Sequence, residues 1–185
     1  MGRIESEANR IGPLVDDLLL LARLDQGPPL LHEPVDVSRI GAEASSDISV
    51  SAPDHPISVD LPDEPVFVVG DEGRLRQVIT NLLANAVQDT PARTLISVSV
   101  VPEVTSVTLV VADSGPGIDL DFQPHAFERF SRAGESRNRA SGGSGLGLSI
   151  VAAVVEALEG EVLLVSEANG TEVRVRLPRS DSPDT

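Results

Sequence analysis

The chain contains no cysteine, no lysine, no tryptophan and no tyrosine. Without cysteine there are no disulfides, no thiolate metal sites and no cysteine nucleophile, a composition that suits a reducing compartment. All fourteen basic residues are arginine. That excludes a Walker P-loop and the strand lysine of eukaryotic-type protein kinases, and it excludes Schiff-base chemistry. The only aromatic side chains are four phenylalanines, so aliphatic residues must fill the core, and a hydrophobic content of 41% supplies them. Cations are scarce: the formal net charge is −15. A general nucleic-acid binder is therefore not expected, because the phosphate backbone needs cationic partners. Long apolar runs are missing too. Leu18–Ala22 is the best, far short of the about 20 residues a membrane span requires. No signal peptide is evident.

What remains has clear organisation. Ile4, Ala8, Ile11, Val15, Leu18 and Ala22 are spaced as a heptad stripe within a helix over 3–25, with Leu14, Leu19 and Leu21 widening it. Such a stripe wants a partner helix, although it can also pack on its own domain, and Gly12-Pro13 interrupts it. Residues 26–34 read as a Pro- and Gly-rich linker. A helix is expected over about 37–50, then two short strands in 57–71 split by a Pro-rich turn. Residues 71–91 read as a strong helix. Leu75, Val78, Ile79, Leu82, Leu83 and Ala86 form its apolar face, acids start it and Pro91 stops it. Alternation predicts a hairpin over 94–115 and another over 161–178, the latter turning at Asn169-Gly170. Residues 114–143 read as mostly irregular and 144–158 as helix. The tail 179–185 reads as disordered. The expected class is α+β, a two-layer sandwich with helices on one face of a largely antiparallel sheet.

Four stretches carry the chemistry. In "NLLANA", Asn81 and Asn85 are i and i+4 on one helix face, where two amides can offer oxygen to a hard cation. Read alone, they are equally two polar residues on a solvated face. "DSGPG" follows a strand. Asp113 can accept from an exocyclic amine, while Gly115 and Gly117 allow a tight, open turn. Arg129, Arg132, Arg137 and Arg139 lie in a segment whose only acid from 129 to 139 is Glu135. Arginines in a Gly- and Ser-rich stretch suit a basic lid over an anionic ligand, or else a solubilising loop. In "ASGGSGLGLSIV", residues 140–151, glycines precede a helix whose N-terminus carries the positive dipole end. A phosphate cradle and a plain helix hinge both fit that pattern.

The order of these stretches is more specific than any one of them. An Asn-rich helix, DxGxG after a strand, FERF, GxGLGL and NGT in the last hairpin resemble the ATP-binding catalytic domain of sensor histidine kinases, a member of the Bergerat-type ATPases with gyrase and Hsp90. The resemblance covers about 36–178. Residues 1–26 look like the second helix of the dimerisation hairpin, 27–35 the linker and 179–185 the tail. It implies that Asn85 holds Mg²⁺, that Asn81 supports the phosphate site and that Gln88 borders it. It further implies that Asp113 recognises adenine, in a pocket shaped by Gly115, Gly117 and Ile118. Phe127 and Phe130 would anchor the lid, with Arg129 and Arg132 toward phosphate. Gly143, Gly145, Leu146, Gly147 and Leu148 would lie along the triphosphate, and Thr171 near the adenine end.

ATP-hydrolysing relatives place a water-activating Glu where this chain has Asn81, which is no base at neutral pH. Slow hydrolysis and phosphoryl transfer to a histidine are therefore expected. His32, His55 and His125 lie outside any phosphoacceptor pattern. The expectation is a cytoplasmic portion of a longer sensor kinase, without membrane contact of its own, that dimerises through its helix hairpin and serves a response regulator. The chain also departs from the pattern. Gln88 stands where a basic residue is usual, and Asp89 where an aromatic or His is usual. Those departures keep a second possibility open, a nucleotide-binding regulatory module with little catalysis. A serine kinase of the anti-sigma-factor type shares the fold but lacks a dimerisation helix.

Overall fold

The computed structural model describes residues 12, 15, 17–22, 30–131 and 144–182. Strand β1 (Glu33–Asp36) leads into helix α1 (Val37–Ser51); β2 (Ile57–Asp60), β3 (Phe67–Gly70) and helix α2 (Glu72–Asp89) follow. Then come β4 (Ile96–Pro102), β5 (Ser106–Asp113), a short 3₁₀ turn at Gln123–His125, helix α3 (Gly147–Ala157), β6 (Glu161–Glu167) and β7 (Gly170–Pro178).

The main sheet has five strands in the order β2-β4-β5-β7-β6, antiparallel except for the parallel β2–β4 pair. Period-2 alternation aims one side chain in two at the helices. Val98, Val111 and Val173 stand opposite one another across β4, β5 and β7, as do Val100, Leu109 and Val175 one row on. All six are buried. The helices lie over this face with the apolar stripes their sequences set out. Leu75, Val78, Ile79, Leu82, Leu83 and Ala86 of α2 are buried, as are Ile150, Val151, Val154 and Val155 of α3. The result is the expected two-layer α+β sandwich.

The helix starts are written locally. Asp36 accepts a hydrogen bond from the Arg39 N–H at 3.1 Å and Asp71 from the Arg74 N–H at 3.0 Å. Each such cap stabilises its helix by about 1 kcal/mol. On the surface, Arg39 and Arg76 bridge Glu43 and Glu72, tying α1 to α2. The two guanidinium groups hold the Glu43 carboxyl below its ordinary range, the Arg76 bond being the larger cause.

Three boundaries differ from the sequence reading. The end of the expected linker is already the start of β1, which pairs antiparallel with β3 from Glu33↔Gly70 to Asp36↔Phe67. Its partner lies more than thirty residues on, so no local pattern announces it. At the other end, β3 also bridges Arg179, and the Ser180 N–H donates to Phe67 O at 2.9 Å. Residues 179 and 180 are thus held, not loose. Finally, α3 begins at Gly147, three residues later than expected, because Gly145 takes a left-handed φ of 70°. In the N-terminal helix, Leu20 and Leu21 join the main core while Val15, Leu18 and Leu19 are exposed. Leu21 therefore faces its own domain, and part of the heptad stripe faces outward.

Candidate nucleotide site

A cleft opens between α2, α3 and the inner face of the sheet. Leu82 and Ala86 of α2, Val111 of β5, Leu148 of α3, Leu164 of β6 and Val173 of β7 supply aliphatic walls. Asp113, Thr171, Asp89 and Thr90 supply its polar groups, and Pro116, Gly117 and Ile118 its loop edge. A flat apolar ligand with a polar edge fits such walls.

Asp113 stands where β5 ends. Its Oδ1 accepts the Gly115 N–H at 2.8 Å. Burial pushes its carboxyl above the ordinary range, against the opposing effect of backbone hydrogen bonds from Gly115 and Thr171. The loop beyond it is clasped by the β6–β7 hairpin. The Ile118 N–H donates to Ser166 Oγ at 2.7 Å, and the Ser166 hydroxyl meets Thr171 Oγ1 at 2.9 Å. Gln123 Nε2 donates to both Ile118 O and Ser166 O at 3.0 Å. Gly117 has φ 73°, and a Cβ there would lie 1.9 Å from Glu167 O. Only glycine fits that approach.

The second half of the site is the meeting of α2 with the start of α3. Asn81 Nδ2 donates to Gly147 O at 3.4 Å, and a Cβ on Gly147 would lie 3.4 Å from Asn85 Oδ1. Two amides of one helix thus face the first residue of another. The N-cap of α3, Leu146, offers no side-chain cap of its own, and the Leu146 N–H donates to Ser144 Oγ at 3.2 Å. The leading N–H groups of α3 are the kind of donors that bind phosphate.

Of the residues expected from sequence, Asp113, Gly117, Ile118, Leu148 and Thr171 line the cleft. Gly115 positions Asp113 from behind, with Thr90 packed against it. Asn81, Asn85 and Gly147 come together beside the cleft. Leu146 is fully buried and belongs to the core. Gln88 is half-buried on α2 outside the lining, and Arg129 is exposed. Phe127 packs against the core. Phe130 is 62% exposed. What ties Phe130 down is its backbone, with a left-handed φ of 62° and an N–H donating to Gly145 O at 2.9 Å. Arg132 and Gly143 lie outside the described residues, with most of the basic segment. Sequence reasoning missed Ser166 and Gln123, which no local pattern marks, and Thr90, which directly follows the Asn-rich helix.

Residues 70–181 match the family model of histidine kinase-, DNA gyrase B- and HSP90-like ATPases. The chain belongs to that family. Within it, this ATPase-fold chain is similar to sensor histidine kinases. It is 51% identical over 178 residues to the probable sensor histidine kinase TcrY of Mycobacterium tuberculosis and 44% identical over 183 residues to TrcS of the same organism. Each match covers 96% of this chain but only 38% and 36% of those proteins. The mycobacterial sensor histidine kinase MprB superposes with a TM-score of 0.69 at 30% identity, over 80% of this chain and 97% of that one. Full-length ShkA in complex with AMPPNP superposes with a TM-score of 0.84 at 26% identity, over 99% of this chain and 39% of that one. What the chain shares with these sensor histidine kinases is their ATPase-family domain. Among the described residues no helix is long and apolar enough to cross a membrane.

Proposed function

We propose that this domain binds ATP with Mg²⁺ in the cleft and transfers its γ-phosphate to a histidine that lies outside this chain, for relay to a response regulator. The observation that carries the reading is the junction of Asn81 and Asn85 with the start of α3, placed beside an apolar cleft that ends in Asp113. The base lies between the aliphatic walls and presents its amine to Asp113. The phosphates run toward α3, whose N–H groups and dipole stabilise them. Asn85 offers a hard amide oxygen, which fits Mg²⁺. Among the described residues no cluster of three acidic or histidine side chains competes as a metal site. A cation held chiefly by substrate phosphates needs only one or two protein ligands. When bound, it neutralises charge developing on the transferred group. Asn81 holds Gly147 in place and supplies no base, so water is not activated and the γ-phosphate is kept for the acceptor.

The exposed Val15, Leu18 and Leu19 support helix pairing with a second copy in the whole kinase. In this reading the domain forms the cytoplasmic portion of a membrane-bound sensor. The test is γ-labelled ATP with a separate protein that carries the acceptor helix. Label should appear there as an acid-labile phosphohistidine. No transfer despite bound ATP would sink the kinase reading in favour of a regulatory module.

Asp113 gives a pH prediction. Its carboxyl accepts more strongly from the base amine when ionised, and burial has raised the pH at which it ionises. Nucleotide affinity should therefore fall as pH is lowered, beginning above the ordinary carboxylate range. The stability sign is opposite. A raised folded-state pKa favours the protonated form, so stability is highest below the ordinary carboxylate range and is lost as pH rises from there through the raised pKa. Asp113→Asn should melt at least as high as the wild type at neutral pH, and lose that advantage in acid. It should also lose about 10–100-fold in ATP affinity, as expected for a hydrogen bond to a charged group. Titration calorimetry and thermal melts across pH read both effects.

A further inference from the structure

We propose that Ser166 is a positioning residue of the cleft: it takes the proton of the Thr171 hydroxyl, leaves that oxygen an acceptor, and so lets the site tell an amine from a carbonyl oxygen on a purine edge. The proposal rests on the reading of the cleft as a nucleotide site and deepens it, by naming what that end of the site rejects.

Ser166 is buried on β6 and is not among the described residues that line the cleft. Thr171, on β7, does line it, and stands between Ser166 and Asp113 in the sheet. Three polar groups surround Ser166 Oγ. The Ile118 N–H donates to it at 2.7 Å, Gly170 O lies at 3.2 Å and Thr171 Oγ1 at 2.9 Å. A serine hydroxyl has a single proton and two lone pairs. The Ile118 N–H can only donate, so it takes one lone pair. Gly170 O can only accept, so it takes the proton. Thr171 must then donate its own proton to the remaining lone pair. The reverse assignment would leave Ser166 Oγ and Gly170 O facing each other with no hydrogen between them. Only the first satisfies the buried serine in full, as buried polar groups usually are.

With its proton turned back toward Ser166, Thr171 Oγ1 has only lone pairs left for a ligand. The ionised Asp113 carboxylate beside it also only accepts. A purine edge that carries an amine finds acceptors here. One that carries a carbonyl oxygen meets oxygen with oxygen. Rotation of the Thr171 hydroxyl would relieve that clash, and Ser166 is what opposes the rotation. Ser166 is itself held in place, because Gln123 Nε2 donates to its carbonyl oxygen at 3.0 Å. A site with polar groups fixed in this way rejects a mismatched analogue by leaving them unpaired.

Calorimetry would compare ATP with inosine triphosphate, which carries a carbonyl oxygen in place of the amine. The proteins are wild type, Ser166→Ala, Thr171→Val and the double variant. Wild type should favour ATP. In Ser166→Ala the Thr171 hydroxyl is free to turn and donate to the carbonyl oxygen, so the preference for ATP should fall about tenfold. Loss of the Ile118 bond weakens both nucleotides alike and cancels in the ratio. Thr171→Val should weaken ATP about three- to tenfold and leave inosine triphosphate unchanged or tighter. On that background Ser166→Ala should not move the ratio further. A preference for ATP unchanged in Ser166→Ala, with folding checked by a thermal melt, would make Ser166 a structural pin only and overturn the proposal, leaving the cleft reading standing. If Ser166→Ala does not fold, Thr171→Val decides alone: an equal loss of both nucleotides would overturn the proposal. An absence of nucleotide binding by wild type would overturn the cleft reading with it.

Discussion

Replacing Asn85 with Ala is expected to reduce phosphoryl transfer by at least about a hundredfold while leaving the fold intact. The magnitude follows from losing one oriented group at a site of developing charge, which typically costs about 10²–10³ in rate. The side chain is half-buried beside Gly147, outside the main core, so its removal should shift stability by no more than about 0.5 kcal/mol. The diagnostic measurement is metal dependence. ATP binding by wild type should tighten with Mg²⁺, and binding by Asn85→Ala should not. If the variant kept its Mg²⁺ response, the amide oxygen would not be a metal ligand. Asn81→Ala should act differently: it removes the hold on Gly147 O and so should weaken phosphate binding with or without metal.

The largest stability effect is expected at Gly117. A Cβ there would overlap the Glu167 carbonyl at 1.9 Å, at a φ of 73° that side-chain-bearing residues rarely adopt. Relief by loop movement is blocked. The Ile118 N–H bond to Ser166 and the Gln123 bond to Ser166 O pin the loop to β6, and a second Gln123 bond, to Ile118 O, braces the loop itself. Gly117→Ala must therefore break this clasp, at a cost of about 3 kcal/mol or more. In a domain of this size that lowers the melting temperature by about 10 °C. Nucleotide binding should fall with it, since the same clasp shapes the cleft edge. Gly73→Ala is the matched control. It lies on the exposed first turn of α2, and its added Cβ would meet only Asp71 Oδ1, at 3.4 Å. It should be neutral or stabilising by up to about 1 kcal/mol. Equal melting of the two variants would remove the argument from steric overlap.

The contrast between those glycines shows which parts of the molecule a sequence displays. Helix α2 is legible because its cap, its apolar stripe and its stop are all local, and Asn81 and Asn85 share a face by spacing alone. The β4–β5 hairpin is legible by alternation. Strand β1 is not, because four residues beside prolines become a strand only through β3. The parallel β2–β4 pairing is equally silent, because β3 and α2 separate the two strands in the chain. At the site, Asp113, Gly117 and Thr171 belong to recognisable short motifs. Ser166 and Gln123 join them through side-chain bonds across more than forty residues of chain, which composition and periodicity cannot encode. The start of α3 is a milder case: the glycines were visible, but only backbone geometry says which one bends.

Strand β3 has a consequence for how the chain can be cut and rejoined. It carries β1 on one edge and residue 179 on the other. The two ends of the domain therefore lie about 10 Å apart, two strand spacings across a single ribbon. A short Gly/Ser tether from Ser182 to Glu33 could close the domain into a ring, reopened at the exposed β4–β5 turn near Val104. Such a circular permutant gives up the core packing of Leu20 and Leu21 but keeps the hydrogen bonds that seat both ends, so it should fold with reduced stability and keep its cleft.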